Sequence, residues 1–189
     1  MNRYVFDLDD VLADTLTAVI GWHNRVYGTS LTREDFKSYR FWEAWSGTRE
    51  EAIKKMDRFA DTEDFQGIQR YPGADLVFSL QGSLYVATSR PTYSRGLTEA
   101  QVESLFPNVF SDVCFSGEFF GNGQETKSQI CDRVNAGVLV EDQMAYALAC
   151  RSSGRKVLLL DSPWNQEKEP DQVIRVSGWR GEKGIEAHL

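Results

Sequence analysis

The run Arg3-Tyr4-Val5-Phe6-Asp7-Leu8-Asp9-Asp10-Val11-Leu12 limits what this chain can fold into more than any other stretch. Its apolar half has the residue types of a buried strand, and that strand ends in Asp-x-Asp. Open α/β sheets place their ligands at the carboxyl ends of such strands. Two carboxylates at i and i+2, separated by a core residue, repel each other unless a cation sits between them. Mg²⁺ suits that position, because it prefers oxygen ligands and is usually held by one or two carboxylates together with a substrate phosphate. The pattern points to metal-assisted phosphoryl chemistry with one Asp free to act as nucleophile. A strand followed by an acidic, solvated turn is the plainer alternative, and the rest of the chain has to decide between them.

Strand and helix signals alternate through the second part of the chain. Ser83 to Thr88 reads as a buried strand, followed by a helix from about Ser94 to Leu105. Asp112 to Ser116 is a short strand, Glu125 to Val134 a helix, and Gly137 to Glu141 a strand. Asp142 to Cys150 is a helix and Lys156 to Leu160 a strand, with Val173 to Val176 as one more at an edge. This alternation predicts an α/β fold, a Rossmann-like three-layer arrangement with helices on both faces of a parallel sheet.

Residues 14–71 carry no strand signal and read as a helical insertion after the first strand. Asp14 or Thr15 caps a helix that places Leu16, Val19, Ile20, His23, Val26 and Tyr27 on one face and stops at Gly28. Thr32 precedes an aromatic-rich helical segment, and Thr48-Arg49-Glu50-Glu51 has the spacing of a capping box for a third helix. Tyr71-Pro72-Gly73 breaks the chain ahead of a short helix from Ala74 to Leu80. The expected organisation is a core of residues 1–13 and 72–189 with a small helical cap at 14–71.

The 189 residues suffice for one good core with a small accessory domain. A net charge of −7 makes long nucleic acid and anionic membranes poor partners. Cys114, Cys131 and Cys150 are an odd number without zinc spacing, as expected of reduced, buried thiols. No apolar stretch approaches transmembrane length, and the amino terminus passes directly into the first strand, so a cytoplasmic location is expected.

The carboxyl ends of the predicted strands carry a matched set of groups. Strand one ends in Asp7 and Asp9, the second in Thr88-Ser89-Arg90-Pro91, and the fourth in Glu141-Asp142; Lys127 opens the helix after the third. In a parallel sheet these ends share one edge. Asp7 is the expected nucleophile, and Asp9 the group that protonates the leaving oxygen and then deprotonates water. Thr88 and Ser89 can donate to phosphate oxygens, and Lys127 offsets the accumulated negative charge. Asp7, Asp9, Asp142 and Glu141 are the candidate Mg²⁺ ligands, with the Asp9 backbone carbonyl as a further donor. Arg90 reads equally as a ligand for a second phosphate and as a solvated loop residue. Any one site has an ordinary explanation, as strand end, helix cap or surface lysine. Together they follow from a single mechanism.

Asp7 to Leu12 also matches Asp-x-Asp-x-[Thr/Val]-[Leu/Val], the first motif of the haloacid dehalogenase (HAD) superfamily. All four motifs of that superfamily occur in order between Arg3 and about Leu160. The resemblance implies a HAD-like core, Mg²⁺ dependence, an aspartyl-phosphate intermediate and a cap that closes over the substrate. An aspartate at position 9 favours a phosphatase over a dehalogenase. Within the superfamily the chain resembles the 5′(3′)-deoxyribonucleotidase group in Asp-Leu-Asp-Asp-Val-Leu-Ala-Asp, in Thr88-Ser89, and in Asp161-Ser162-Pro163-Trp164-Asn165. It departs from that group at Arg90, at Glu141 and at Trp164, which stands where a tyrosine is usual. The resemblance implies a small, nucleotide-like phosphorylated substrate. A sugar phosphate, a nucleic-acid end, or binding without catalysis are the other readings. Phe36, Tyr39, Phe41, Trp42 and Trp45 serve either as a stacking surface for a base or as the core of a small cap, and His23 is expected to be packed inside it.

Overall fold

The computed structural model describes residues 2–117, 125–152 and 154–189. Six strands, β1 (Arg3–Phe6), β2 (Ser83–Thr88), β3 (Asp112–Phe115), β4 (Val138–Glu141), β5 (Lys156–Leu160) and β6 (Val173–Val176), form one sheet. Their order is β3-β2-β1-β4-β5-β6 and every pairing is parallel. The alternation of side chains divides the apolar runs between two cores. Tyr4, Phe6, Leu84, Val86, Val140, Leu158 and Leu160 face one side, where they meet Val102 of α5 (Arg95–Leu105), Phe106, Trp179 and Ile185. Val5, Ala87, Leu139, Val157 and Leu159 face the other, covered by Ile130 and Cys131 of α6 (Lys127–Arg133) and by Met144 and Ala147 of α7 (Met144–Ala149). Burial on both faces explains why these strands read as near-continuous apolar runs. The three cysteines are buried and unpaired.

The chain leaves β1 for β2 and β3, then returns to the opposite side of β1 as β4. The order therefore reverses between β1 and β4, and the crevice at their carboxyl ends is where such sheets take ligands. Asp7 extends this pairing by one residue, its amide donating to the Val140 carbonyl at 2.9 Å.

Residues 14–71 contribute α1 (Thr15–Tyr27), α2 (Phe41–Ala44), α3 (Arg49–Ala60) and α4 (Glu63–Gln66), with no strand. Gly28 ends α1 in the left-handed region (φ 66°), as its position predicts. The capping box of α3 forms in both directions: Glu51 N donates to Thr48 Oγ1 at 3.2 Å, and Thr48 N to Glu51 Oε2 at 2.8 Å.

Four expectations need correction. Asp14 makes no side-chain cap on α1; Asp10 Oδ1 instead accepts from Leu16 N at 3.3 Å. Helix is sparse in the aromatic stretch, a 3₁₀ turn at Arg33–Asp35 and the single turn α2, because ring contacts such as Phe36–Phe41 and Phe41–Trp45 organise it more than backbone hydrogen bonds do. Ala74–Ser79 is likewise a 3₁₀ helix. Val26, predicted on the packed face of α1, is 46% exposed.

The two strands of chain that join the insertion to the core run side by side. Tyr71 N donates to Leu12 O at 2.7 Å, and Asp14 N to Gln69 O at 2.9 Å. Trp179 braces both, donating from Nε1 to Val11 O at 2.8 Å and lying against Gly73, where a Cβ would come within 2.7 Å of the Trp179 Cβ.

Candidate active site

The end of β1 places Asp7 almost wholly inside the protein, 2% exposed. Its Oδ1 accepts from the Leu8 amide at 2.8 Å and pairs with Lys127 Nζ at 2.8 Å. Lys127 opens α6, whose start is set by Thr126: Thr126 Oγ1 accepts from Gln129 N at 3.2 Å and Gln129 Oε1 from Thr126 N at 2.8 Å. Lys127 Nζ also donates to Glu141 Oε2 at 2.8 Å and lies 4.5 Å from the centre of the Tyr146 ring. Burial acts against its charge, but Asp7 and Glu141 more than compensate, and its pKa stands well above the usual lysine range.

Asp7, Glu141 and Asp142 each bring a carboxylate oxygen within 4.8 Å of the others, and all three are buried. Burial, and then mutual repulsion with Asp7, push Glu141 and Asp142 above the normal carboxylate range. Asp142 Oδ2 accepts from Trp164 Nε1 at 3.0 Å, while Asp142 Oδ1 is buried and without a hydrogen-bond partner among the described residues. An orphaned buried carboxylate oxygen is costly unless something binds it. Three clustered carboxylates against one lysine leave an excess of negative charge that a hard divalent cation would neutralise. The donor set fits Mg²⁺.

Asp9 lies outside this trio. Arg90 grips its carboxylate as a fork, Nη2 to Oδ1 at 2.6 Å and Nε to Oδ2 at 3.0 Å, and Thr15 Oγ1 donates to Oδ1 at 2.6 Å. Burial favours the neutral acid, but the Arg90 charge and these hydrogen bonds outweigh it and hold the Asp9 pKa below its ordinary value. Arg90 is thus no solvated loop residue. It is anchored from behind by Gln101 Oε1 at 2.8 Å and lies over the Phe65 ring at 5.2 Å. Thr88 is completely buried, with its Oγ1 accepting from the Arg90 amide at 3.1 Å. Ser89 lines the cleft beside Arg90, its Oγ 3.4 Å from that of Ser116.

Above the strand ends, the core and the insertion enclose a mainly apolar cavity of about 160 Å³. Asp7, Asp9, Ser89 and Arg90 line it together with Tyr39, Phe41, Trp42, Met56, Phe65 and Tyr93. The aromatic set identified in the sequence is therefore divided. Phe36 is buried in the core, and Trp45 stacks on His23 with ring centres 5.1 Å apart, whereas Tyr39, Phe41 and Trp42 face the cavity. Tyr93 OH donates to Asp57 Oδ1 at 2.9 Å, joining the turn after β2 to α3.

Several contributors carried no separate signal in the sequence. Trp164 and Asn165 were visible only within a resemblance, yet they hold Asp142: Asn165 Nδ2 donates to Asp142 O at 2.6 Å and to Leu160 O at 2.8 Å. Thr15 and Asp10 sit too close to the Asp motif to stand out from it. Nothing in the local sequence marks Arg33, which pairs with Asp10 at 3.1 Å.

The six-stranded parallel sheet, the helical insertion after β1 and the carboxylates at the switch point define a HAD-superfamily hydrolase. Solved structures of similar fold include a haloacid dehalogenase-like protein from Bacteroides fragilis (15% identity, 100% of this chain and 99% of that one, TM-score 0.64). A HAD-superfamily hydrolase of subfamily IA from Geobacter sulfurreducens (18%, 94% and 95%, 0.57) and YfnB from Bacillus subtilis bound to magnesium (17%, 90% and 89%, 0.55) are also alike. At such identities the likeness concerns the fold. No curated protein matches the chain.

Residues 3–186 match the model of the family described as 5′ nucleotidase, deoxy (pyrimidine), cytosolic type C protein. The chain belongs to that family, and it is a phosphoric monoester hydrolase of the HAD type. No helix among the described residues is long and apolar enough to cross a membrane.

Proposed function

We propose that this enzyme is a Mg²⁺-dependent phosphomonoesterase that works through an aspartyl-phosphate on Asp7. Its proposed substrate is a nucleoside 5′-monophosphate, with pyrimidine deoxyribonucleotides the first candidates because of the family. The observation that carries the reading is the Asp7–Lys127–Glu141–Asp142 cluster, whose Asp7 lines a cavity walled by aromatic rings. Asp7 and Asp142, with Glu141 and the Asp9 carbonyl as further donors, would hold Mg²⁺, which when bound supplies charge neutralisation at the phosphoryl oxygens.

An Asp7 carboxylate oxygen attacks phosphorus, the ester P–O bond breaks, and the leaving oxygen takes a proton from Asp9. Asp9 then removes a proton from the water that hydrolyses the acyl phosphate, which returns Asp7 to a carboxylate and Asp9 to its protonated form. Lys127 orients Asp7 and balances the charge that accumulates beside it. Asp9 is paired with Arg90, an arrangement suited to a base. To act as an acid it must first gain a proton, and an incoming phosphate that draws the Arg90 guanidinium to itself removes the contacts that oppose this. Ser89 donates to the phosphate from the cavity wall, and Thr88 supports it from below by fixing the Arg90 amide. Residues 14–71 act as the cap, in which Tyr39, Phe41 and Trp42 offer ring faces to a base. Three unpaired, buried thiols support a reducing, cytoplasmic setting.

Phosphate release from a panel of nucleoside monophosphates and sugar phosphates, with Mg²⁺ and with EDTA, tests the substrate class. Asp7→Asn is expected to fold, to keep the cavity, and to lose turnover. Full activity in that variant, or equal turnover in EDTA, sinks the mechanism. Preference for a sugar phosphate sinks the nucleotide assignment alone.

A further inference from the structure

Arg33 lies in the insertion, 109 residues before Asp142 in sequence, and no reading of the reaction assigns it a part. Its guanidinium is nevertheless tightly held. Nη2 pairs with Asp10 Oδ1 at 3.1 Å and Nη1 with Asp14 Oδ1 at 3.4 Å. It also lies 5.6 Å from the centre of the Tyr71 ring and 5.0 Å from that of Trp164. Asp10 itself is buried with φ 60°, an uncommon backbone for a non-glycine residue, and its carboxylate secures the start of α1 through Leu16 N. Arg33 is thus fixed on one side by two carboxylates at the root of the insertion and on the other by two aromatic rings.

Trp164 is the second half of the connection. Its indole N–H donates to Asp142 Oδ2 at 3.0 Å, the carboxylate whose other oxygen has no hydrogen-bond partner among the described residues. A continuous path of contact runs from the insertion through Arg33 and the Trp164 ring to that carboxylate. Asn165 reinforces the same end from the backbone side, holding Asp142 O and being held in turn by Arg175, whose Nη1 donates to Asn165 Oδ1 at 2.7 Å.

We propose that Arg33 is a positioning residue that acts through Trp164 to aim the free oxygen of Asp142 at the metal, so that seating of the insertion and metal affinity are coupled. The physical ground is that removing a group hydrogen-bonded to a metal ligand typically costs about 10–100-fold in metal affinity. A planar cation against an indole face, held from behind by two carboxylates, leaves that ring little freedom to turn. The inference rests on the reading that Asp142 ligates Mg²⁺.

The test is calorimetric titration of the substrate-free full-length protein with MgCl₂, with melting temperatures recorded beside it. Trp164→Phe keeps a ring but removes the N–H, and is expected to weaken Mg²⁺ binding about tenfold. Arg33→Lys keeps a charge for Asp10 and Asp14 but loses the planar stack, and Arg33→Gln loses the charge as well. Both are expected to weaken binding by roughly threefold or more. The double variant Arg33→Lys/Trp164→Phe is expected to bind no more weakly than Trp164→Phe alone, because the two act in series. If Arg33→Gln unfolds, Arg33→Lys carries the comparison.

Wild-type Mg²⁺ affinity in the Arg33 variants overturns the proposal, as do losses that multiply in the double variant. A role confined to fold stability would lower the melting temperature and leave affinity unchanged. Asp142→Asn separates the underlying reading. Retained affinity there removes Asp142 from the metal site and this proposal with it, whereas a large loss there with unaltered Arg33 variants defeats the Arg33 proposal alone.

Discussion

Lys127 shows how much of this site is decided by single side chains. It is 1% exposed and satisfies Asp7 and Glu141 at once. Removing one partner of a buried ion pair leaves the other charges uncompensated, at a cost of about 3–5 kcal/mol. Lys127→Met is therefore expected to lower stability by about 3 kcal/mol in EDTA, and by distinctly less in excess Mg²⁺, because the cation then offsets charge the lysine no longer balances. Chemical denaturation with and without Mg²⁺ measures both; equal losses in the two conditions would count against a metal at the Asp7–Glu141–Asp142 cluster. Asp7, Asp9, Lys127, Glu141 and Asp142 were legible as residues because each closes or opens a recognisable element. What Arg90 does was not legible. Its partner Asp9 is 81 residues away, and a charged residue in a loop reads the same whether it faces water or a buried carboxylate.

At the scale of elements, local signals worked where hydrogen bonding is local. Thr48 and Glu51 form the box their spacing predicts, and Thr48→Ala is expected to cost about 1 kcal/mol in denaturant unfolding. Because Arg49, Ala52, Ile53 and Met56 of α3 line the cavity, the same variant is expected to raise KM more than it lowers kcat. A shift in kcat alone would argue that α3 does not shape the binding cavity.

α1 and α3 meet at His23, which Lys55 Nζ approaches at Nε2, 3.1 Å away. The Thr29 hydroxyl donates to Asn24 Oδ1, so it accepts from His23 Nδ1, which makes the ring the neutral Nδ1–H tautomer. Burial first, and the Lys55 charge second, depress the histidine pKa. The unfolded chain takes up a proton near pH 6.5 while the folded ring resists it, so stability is full above about pH 6.5 and declines as pH falls below it. Thermal melts from pH 7.5 to 5.5 are expected to show that decline as the difference between the wild type and His23→Gln, because the raised carboxyls of Glu141 and Asp142, common to both, act in the opposite sense. Parallel curves would remove His23 as the cause. The aromatic stretch after α1 holds less helix than its local sequence predicts, because its order comes from rings meeting across the insertion, which local propensity does not encode.

For the whole molecule, the switch between β1 and β4 gathers three buried carboxylates, and their mutual repulsion makes the bare site costly. Mg²⁺ at about 100 times its dissociation constant is expected to add about 2.7 kcal/mol to stability, seen as a rise in melting temperature that EDTA reverses. A melting temperature indifferent to Mg²⁺ would contradict a metal at the switch point.

The sequence by itself determined the parallel sheet, the helical insertion and the acidic, cationic and hydroxyl groups at the strand ends, since apolar periodicity, capping and strand-end position are properties of neighbouring residues. Only the tertiary structure decided that Arg90 binds Asp9, that Trp164 and Arg33 stand behind Asp142, and that Tyr39, Phe41 and Trp42 face the cavity while Phe36 and Trp45 do not. Those pairings join residues far apart in the chain, and their strength depends on the burial that packing creates.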